Sequence, residues 1–255
     1  MSKLKKWWGL ILLLFLAPIV CLAGVIGVTA WALAPSGPMP EALPALQSDT
    51  RVQVSTDPWL AFRPQGAQYA VGLVLYPGAR VDPRSYAPAA RAIAAQGYLV
   101  VIVPMPLNLA VLAPDRATEV IAAYPDVRRW AIGGHSLGGA MAARYAHSHP
   151  AAVQGLVLWA AYPDVSDDLS AQNLAVVSIY GSRDGLSTLD KVIASRRLLP
   201  PGARWVSIEG GNHAQFGWYG PQQGDNEASI SREAQQQQVV AATVDLLAAL
   251  GGSEP

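Results

Sequence analysis

The middle of the chain contains, at residues 129–146, the sequence RWAIGGHSLGGAMAARYA. The part up to Gly133 has the apolar character of a short buried strand, and the part after Gly138 has the composition of a helix. Between them lies a G-x-S-x-G pattern with Ser136 at its centre. A strand, a sharp turn that carries a serine, and a helix form the context in which this pattern is a nucleophile elbow. We therefore expect the Ser136 hydroxyl to lie exposed at the end of a sheet.

The glycines on either side of this serine fit the same interpretation. A Cβ atom at Gly134 or Gly138 would collide with neighbouring backbone in so tight a turn. The pattern alone is only moderately specific, so the rest of the chain has to supply the remaining chemistry.

Apolar runs alternate with helix-length segments on both sides of the elbow. The runs predict strands at 71–76, 98–103, 129–133, 155–159, 174–180 and 204–208. The segments between and after them predict helices at 85–95, 114–123, 137–147, 188–199 and 230–250. This alternation predicts an α/β fold with a mainly parallel central sheet and helices on both faces. No insertion between the strands is long enough for a large lid.

A serine hydroxyl is a poor nucleophile, so it needs a base, and the base needs an acid to orient it. Functional groups in such a sheet gather at the carboxyl ends of the strands. Asp184 follows the run 174–180, and His213 follows the run 204–208. The order Ser136, Asp184, His213 is the order of an α/β-hydrolase triad.

Other interpretations of these residues stay open at this point. Asp184 precedes a glycine and could serve only as a turn residue. Asp164, just past the run 155–159, is a rival acid, and His213 could be an ordinary loop histidine. His135 lies inside the elbow, and we expect its side chain to point away from the nucleophile.

An oxyanion intermediate needs hydrogen-bond donors. The backbone N–H of Leu137, at a helix N-terminus, is the first candidate. The second is the N–H of Ala79 or of Gly78, in the loop after the run 71–76, because Pro77 has no N–H. The Pro-Gly pair is also compatible with a plain β-turn.

With these residues in place, the chain resembles the α/β-hydrolase superfamily. More narrowly it is similar to the α/β-hydrolase fold-5 family, which is related to dienelactone-hydrolase-like enzymes. The resemblance covers about residues 60–250 and rests on four motifs: YPGA at 76–79, GGHSLGG at 133–139, YGSRDG at 180–185 and GGNHAQFG at 210–217. It implies that Ser136, Asp184 and His213 form the triad of a serine hydrolase. Dienelactone hydrolases proper use a cysteine nucleophile, which this chain does not offer in the elbow.

The N-terminus has the pattern of a membrane segment. From Trp7 to Leu33 no residue is charged, and as a helix this run would span roughly 40 Å, more than the ~30 Å hydrocarbon core. Lysines at 3, 5 and 6 precede it, and the next basic residue is Arg51. The positive-inside rule then predicts a cytoplasmic N-terminus and an extracytoplasmic domain at a bacterial plasma membrane. A cleaved signal peptide is the alternative, with a small-x-small site at 32–34 directly before Pro35.

The predicted organisation has three parts. Residues 1–34 form a cytoplasmic tail and a single transmembrane anchor, and residues 51–255 form the α/β-hydrolase domain. Residues 35–50 are rich in proline and predict a semi-extended linker between the two.

Composition narrows the function classes further. The net charge is zero, and no basic surface pattern indicates nucleic acid. The single cysteine, Cys21, lies in the apolar run and rules out an intramolecular disulfide and a cysteine-based metal site. No metal or organic cofactor is implied. The abundance of Ala, Arg, Pro and Gly suggests a bacterial source.

The sequence therefore predicts a membrane-anchored serine hydrolase, in particular a carboxylic ester hydrolase, with a small-molecule ester or acyl substrate. An acyltransferase on the same triad and a non-catalytic membrane-tethered binding domain remain as alternatives. The aromatic and polar loop at 216–226 could line a substrate pocket, but packing around His213 is the favoured interpretation.

Overall fold

In the computed structural model the described residues are 35–66 and 69–252, and within them eight strands form one sheet. The strands are β1 Val52–Ser55, β2 Leu60–Pro64, β3 Val71–Tyr76, β4 Leu99–Ile102, β5 Arg129–His135, β6 Gly155–Trp159, β7 Ala175–Gly181 and β8 Arg204–Ile208. Their order across the sheet is β1-β2-β4-β3-β5-β6-β7-β8. The strands β3 to β8 are parallel to one another, whereas β1 pairs antiparallel with β2, and β2 pairs antiparallel with β4.

Five α-helices of the described part connect or follow these strands. They are α1 Ala87–Ala94, α2 Ala117–Ala123, α3 Leu137–Ser148, α4 Leu189–Ala194 and α5 Arg232–Gly252. Short 3-10 turns lie at Pro40–Leu46, Pro83–Tyr86, Pro106–Asn108, Ala110–Leu112, Ser195–Leu198 and Ala214–Phe216. Each of the six strands and five helices predicted from the apolar pattern is present, with shifts of a few residues at the ends.

Both faces of the sheet are covered, as its continuous apolar strands require. Leu73 and Leu75 of β3 point into a core that includes side chains of α1 and α5. Val74, between them, points into a second core that includes side chains of α2 and α3. Every residue of β3 is buried. The prediction of a mainly parallel sheet between two helical layers is confirmed.

The antiparallel strands β1 and β2 are additional to the prediction. They have four and five residues, and exposed or half-buried positions interrupt their apolar pattern. Asp57-Pro58 lies between them, which reads as loop in the sequence. Strands this short and this mixed carry no clear alternation, so the sequence did not reveal them.

The segment 35–50 differs from the semi-extended linker that its prolines suggest. The Ser36 N–H donates to the Arg80 carbonyl at 2.7 Å, and the Met39 N–H donates to the Trp218 carbonyl at 2.7 Å. Ala42 is fully buried within the 3-10 turn Pro40–Leu46. The prolines favour that turn, and its small apolar side chains give it a face that packs on the domain.

Among the described residues, none of the helices combines the length and the apolar character needed to cross a membrane. The predicted anchor at 1–34 lies outside the described residues.

Candidate active site

Ser136 lies at the turn between β5 and α3, with φ of 53° and ψ of −123°. An L-residue in this region stores roughly 1–3 kcal/mol of backbone strain, which persists only where the surroundings hold it. Here the Ser136 N–H donates to the Trp159 carbonyl at 3.0 Å, and the Ser136 carbonyl accepts from the Ala140 N–H at 3.1 Å. The strand β6 and the helix α3 therefore fix both sides of the turn.

The glycines of the elbow are required by close backbone contacts. A Cβ atom on Gly134 would lie 2.4 Å from the carbonyl carbon of Gly138. A Cβ atom on Gly138 would lie 2.3 Å from the carbonyl oxygens of both Tyr76 and Pro77. The elbow thus packs directly against the end of β3, where the loop with the candidate oxyanion donors begins.

Asp184 and His213 are in direct contact. Asp184 follows β7, His213 follows β8, and Oδ2 of the aspartate lies 2.8 Å from Nδ1 of the histidine. Both side chains are buried, with exposed fractions of 0% and 1%. The other carboxylate oxygen accepts the N–H groups of Leu186 at 2.8 Å and of Ser187 at 2.7 Å. These bonds hold the carboxylate in one orientation toward the imidazole.

The second nitrogen of His213, Nε2, is buried and has no hydrogen-bond partner among the described residues. The ring of His213 lies 4.5 Å, between centroids, from the ring of His135, the residue directly before Ser136. The Asp184–His213 pair therefore presents one uncommitted nitrogen next to the elbow, which is the arrangement a general base needs.

The rival acid, Asp164, is in a different environment. Its carboxylate accepts the N–H of Ser166 at 3.0 Å and the hydroxyl of Ser166 at 2.8 Å, in an exposed turn. These bonds lower the pKa of Asp164 from its usual value. Asp164 is therefore a turn residue, whereas Asp184 combines the turn bonds with contact to the histidine.

The loop after β3 offers one free donor and not two. The Gly78 N–H donates to the hydroxyl of Tyr86 at 3.0 Å, inside the protein. The N–H of Gly78, predicted as a possible oxyanion donor, thus already has a hydrogen-bond partner in this structure. The N–H groups of Ala79 and Leu137 have no hydrogen-bond partner among the described residues.

The hydroxyl of Tyr86 also bonds Nδ1 of His135 at 2.9 Å. Burial, and next to it the proximity of His213, holds the pKa of His135 well below its usual range, so this imidazole is neutral. Burial raises the pKa of Tyr86, so the phenol keeps its proton. The arrangement that satisfies most groups has the Tyr86 hydroxyl accepting from Gly78 and donating to His135.

Asp225 links the loop of the acid to the loop of the histidine. Its Oδ1 accepts the N–H groups of Gly185 at 3.1 Å and of His213 at 3.2 Å. Its Oδ2 accepts the N–H of Ala214 at 2.8 Å. One carboxylate therefore spans the residues that directly follow Asp184 and the backbone of His213 itself.

The helix α5 holds the histidine loop from the other side. Gln235 is fully buried, accepts the Asn212 N–H at 3.0 Å and donates to the Asn212 carbonyl at 2.8 Å. Phe216 is also buried and stacks on His135, with ring centroids 5.7 Å apart and planes inclined by 14°. These contacts favour the packing role for the loop after His213.

Sequence reasoning did not find Tyr86, Asp225 or Gln235, nor the contact that brings the His135 ring beside His213. Each acts through contacts between segments far apart in the chain, and none has a local motif. The only signal was the unusual density of Asn, Gln and Asp at 212–238.

The chain is similar to known proteins in its sequence profile and in its fold. The sequence profile of the alpha/beta hydrolase family matches residues 72–237, which contain all three candidate residues. No curated protein matches the chain.

Several solved structures share the fold at low sequence identity. The Pyrobaculum calidifontis esterase superposes with a TM-score of 0.59 at 18% identity, over 84% of this chain and 91% of its own. Est1E from Butyrivibrio proteoclasticus, solved with ferulic acid bound, has a TM-score of 0.57 at 11% identity, over 76% and 98%. A CIB-like hydrolase from Thermoplasma acidophilum has a TM-score of 0.55 at 17% identity, over 78% and 99%.

Proposed function

The chain belongs to the alpha/beta hydrolase family, and from this premise we propose that it is a serine hydrolase that cleaves carboxylic esters. The observation that carries the proposal is the buried Asp184–His213 pair, bonded at 2.8 Å, whose imidazole lies 4.5 Å, between ring centroids, from that of His135, the residue before the strained Ser136. The fold neighbours that are named as esterases agree with it.

In the first half of the reaction the Ser136 hydroxyl attacks the ester carbonyl. Nε2 of His213 takes the hydroxyl proton, and Asp184 stabilises the imidazolium that forms. The carbonyl oxygen becomes an oxyanion, which the N–H groups of Leu137 and Ala79 stabilise. The tetrahedral intermediate then collapses: the bond to the alkoxy group breaks, His213 returns the proton to it, and the alcohol leaves the acyl-enzyme.

In the second half water takes the place of the alcohol. His213 removes a proton from the water, the hydroxide oxygen bonds to the acyl carbon, and a second oxyanion forms in the same place. When it collapses, the bond to Ser136 Oγ breaks and the serine regains its proton from His213. One ester and one water yield one alcohol and one carboxylic acid.

We also propose a location, which rests on the sequence alone. The uncharged run from Trp7 to Leu33 and the lysines before it place residues 1–34 as a membrane anchor, with the hydrolase domain on the extracytoplasmic side. An alkaline phosphatase fusion after residue 50 should be active in bacteria. Activity of a cytoplasmic reporter at the same point would overturn the topology.

The proposed activity is tested by ester hydrolysis with matched acid variants. The full-length chain should hydrolyse p-nitrophenyl acetate, and Ser136→Ala should abolish this. Asp184→Asn should lower kcat by about 10⁴, the size expected when the histidine loses its orienting carboxylate. Asp164→Asn, an exposed aspartate in a comparable turn, should stay within about twofold of the wild type. Equal effects of the two aspartate substitutions would contradict the assigned roles.

A further inference from the structure

Large apolar side chains are exposed mainly at one edge of the sheet. In the part of the chain that the structure describes, these are Leu43, Leu107, Val111, Leu112, Val165, Leu189 and Ile193. Leu107, Val111 and Leu112 lie in the segment after the carboxyl end of β4, and Val165 lies after that of β6. Leu189 is the first residue of α4, the helix that follows β7. Ser136 follows β5 at the same edge. The exposed apolar surface is thus concentrated around the candidate active site.

Three of these side chains belong to the segment after β4, and we call them the apolar rim: Leu107, Val111 and Leu112. Their exposed fractions are 61%, 46% and 53%. Leu107 has a φ of 52° and ψ of 22°, in the left-handed region that an L-residue enters at a cost of about 1–2 kcal/mol. The fold therefore exposes an apolar side chain to water on a strained backbone. Gly or Asn would adopt this backbone conformation at a lower free-energy cost.

Hydrogen bonds and packing attach the rim to the site. The Arg80 N–H, one residue after the oxyanion donor Ala79, donates to the Asn108 carbonyl at 2.8 Å. The turn Ala110–Leu112 contacts α3, the helix that begins at the elbow. Leu137, the other oxyanion donor, packs on the core cluster that contains Met105 and Ala110. The segment that carries the rim is thus joined by a hydrogen bond to the residue after Ala79 and by packing to the helix that begins at Leu137.

An ester carbonyl held at these donors carries its acyl chain on one side and its alcohol on the other. A chain long enough to leave the donors would contact apolar surface at the rim, and each buried CH2 group contributes about 0.8 kcal/mol. A separate groove of about 500 Å³ lies between α1 and α5, and Trp218, Val240 and Val244 are among the residues that line it. Neither the three proposed catalytic residues nor the two donors line this groove, whereas the segment that carries the rim is bonded to the loop after β3.

From these contacts we infer that the rim binds the acyl chain of the substrate and that the enzyme favours esters of medium or long apolar acids over acetate. The inference rests on the proposed function and adds the substrate class. A lipid surface as occupant of the rim is disfavoured, because the nearby Asp115 is 67% exposed and an anionic lipid surface would repel its carboxylate.

The test compares p-nitrophenyl octanoate with p-nitrophenyl acetate, both below the concentrations at which they aggregate, on the full-length chain at one fixed detergent concentration. The wild type should have the higher kcat/KM for octanoate. In Leu107→Ser and Leu112→Ser the octanoate-to-acetate ratio of kcat/KM should fall about fivefold, while acetate hydrolysis stays within about twofold. Leu43→Ser, at an exposed leucine on the turn Pro40–Leu46, should leave the ratio unchanged.

Hydrolysis of the acetate ester depends on folding and on the catalytic residues but not on a long acyl chain. Failure of the inference can therefore be distinguished from failure of the proposed function. If the wild type cleaves acetate through Ser136 but the two rim variants keep its ratio, the proposed function stands and the inference is wrong. If the wild type cleaves neither ester, the proposed function itself fails. If the rim variants lose activity only on esters embedded in vesicles and keep the ratio for soluble esters, the rim binds a lipid surface and the inference is overturned.

Discussion

Replacement of Tyr86 by Phe isolates the role of one hydroxyl in the oxyanion loop. The substitution keeps the ring, which is buried in the core, and removes the acceptor for the Gly78 N–H at 3.0 Å and the donor to His135 Nδ1 at 2.9 Å. The Gly78 N–H is one residue before the free N–H of Ala79. We expect the loop after β3 to lose the contact that fixes the direction of that donor.

The magnitude follows from the groups left without a partner. A buried polar group that loses its hydrogen bond costs about 1–3 kcal/mol, so two such groups destabilise the protein by about 2–6 kcal/mol. For a domain of this size that corresponds to a fall in Tm of about 4–24 °C. Complete removal of an oxyanion donor lowers kcat by about 10²–10³. A donor that is misdirected but present should lower kcat by about 10–100-fold, with KM nearly unchanged.

The assay measures kcat and KM on p-nitrophenyl acetate together with thermal unfolding. Tyr145→Phe is the matched control, because Tyr145 is a buried tyrosine on α3 whose hydroxyl bonds Thr118 Oγ1 at 3.1 Å. It should lower Tm and leave kcat within about twofold. If Tyr86→Phe lowers Tm but retains the wild-type kcat, the hydroxyl only stabilises the fold, and the account of the oxyanion loop is refuted.

Three further predictions concern the same region. Asp225→Ala should lower kcat about 10–100-fold, because the loops of Asp184 and His213 lose their common hydrogen-bond acceptor. Glu227→Ala in the same loop serves as control. Equal kcat values of the two variants would contradict the role given to the Asp225 carboxylate. Gly138→Ala should destabilise the protein by more than about 2 kcal/mol in urea unfolding, since the new Cβ would lie 2.3 Å from backbone oxygens. Gly37→Ala is the control, because its Cβ would have open space and the stability should not change. Equal stability of the two variants would contradict the prediction. His135 is neutral in the folded protein, but the unfolded chain binds a proton at its ordinary pKa of about 6.5. The unfolded state then holds more protons, so the free energy of unfolding falls as pH drops from about 6.5 to 5, by up to about 1.4 kcal/mol per pH unit. His135→Asn should lose this part of the pH dependence. Identical pH slopes of the unfolding free energy in wild type and variant, measured by chemical denaturation, would refute the prediction.

Much of the fold could be predicted from the sequence because its strands are buried on both faces. Val71–Tyr76 and Gly155–Trp159 are continuous apolar runs, and their bounds were predicted to the residue. The strands β1 and β2 escaped because they have only four and five residues, which are too few to show a period. The turn Pro40–Leu46 escaped because proline-rich sequence indicates extended chain just as readily as a short 3-10 turn.

The candidate site divides in the same way. Ser136, Asp184 and His213 could be singled out because each directly follows a predicted strand, and parallel strands bring their carboxyl ends together. The N–H of Gly78 could not be told apart from that of Ala79 as a candidate donor, because its partner Tyr86 lies on another segment. Asp225 could not be assigned a role, because its three partners in the acid and histidine loops depend on how the loop at 217–230 folds back. Roles that depend on contacts across the fold leave no pattern in the local sequence.

The central claim is that Ser136 is the nucleophile, and covalent trapping tests it most directly. The full-length chain is treated with a fluorophosphonate, which phosphonylates an activated serine and releases fluoride, and the modified site is located by mass spectrometry of the peptides. We predict a single adduct on Ser136 that forms at the rate at which esterase activity is lost, and that is absent from His213→Ala, where the serine has no base. Inactivation by the reagent with the adduct on another residue would contradict the account. So would a treated enzyme that keeps its full esterase activity and carries no adduct on Ser136.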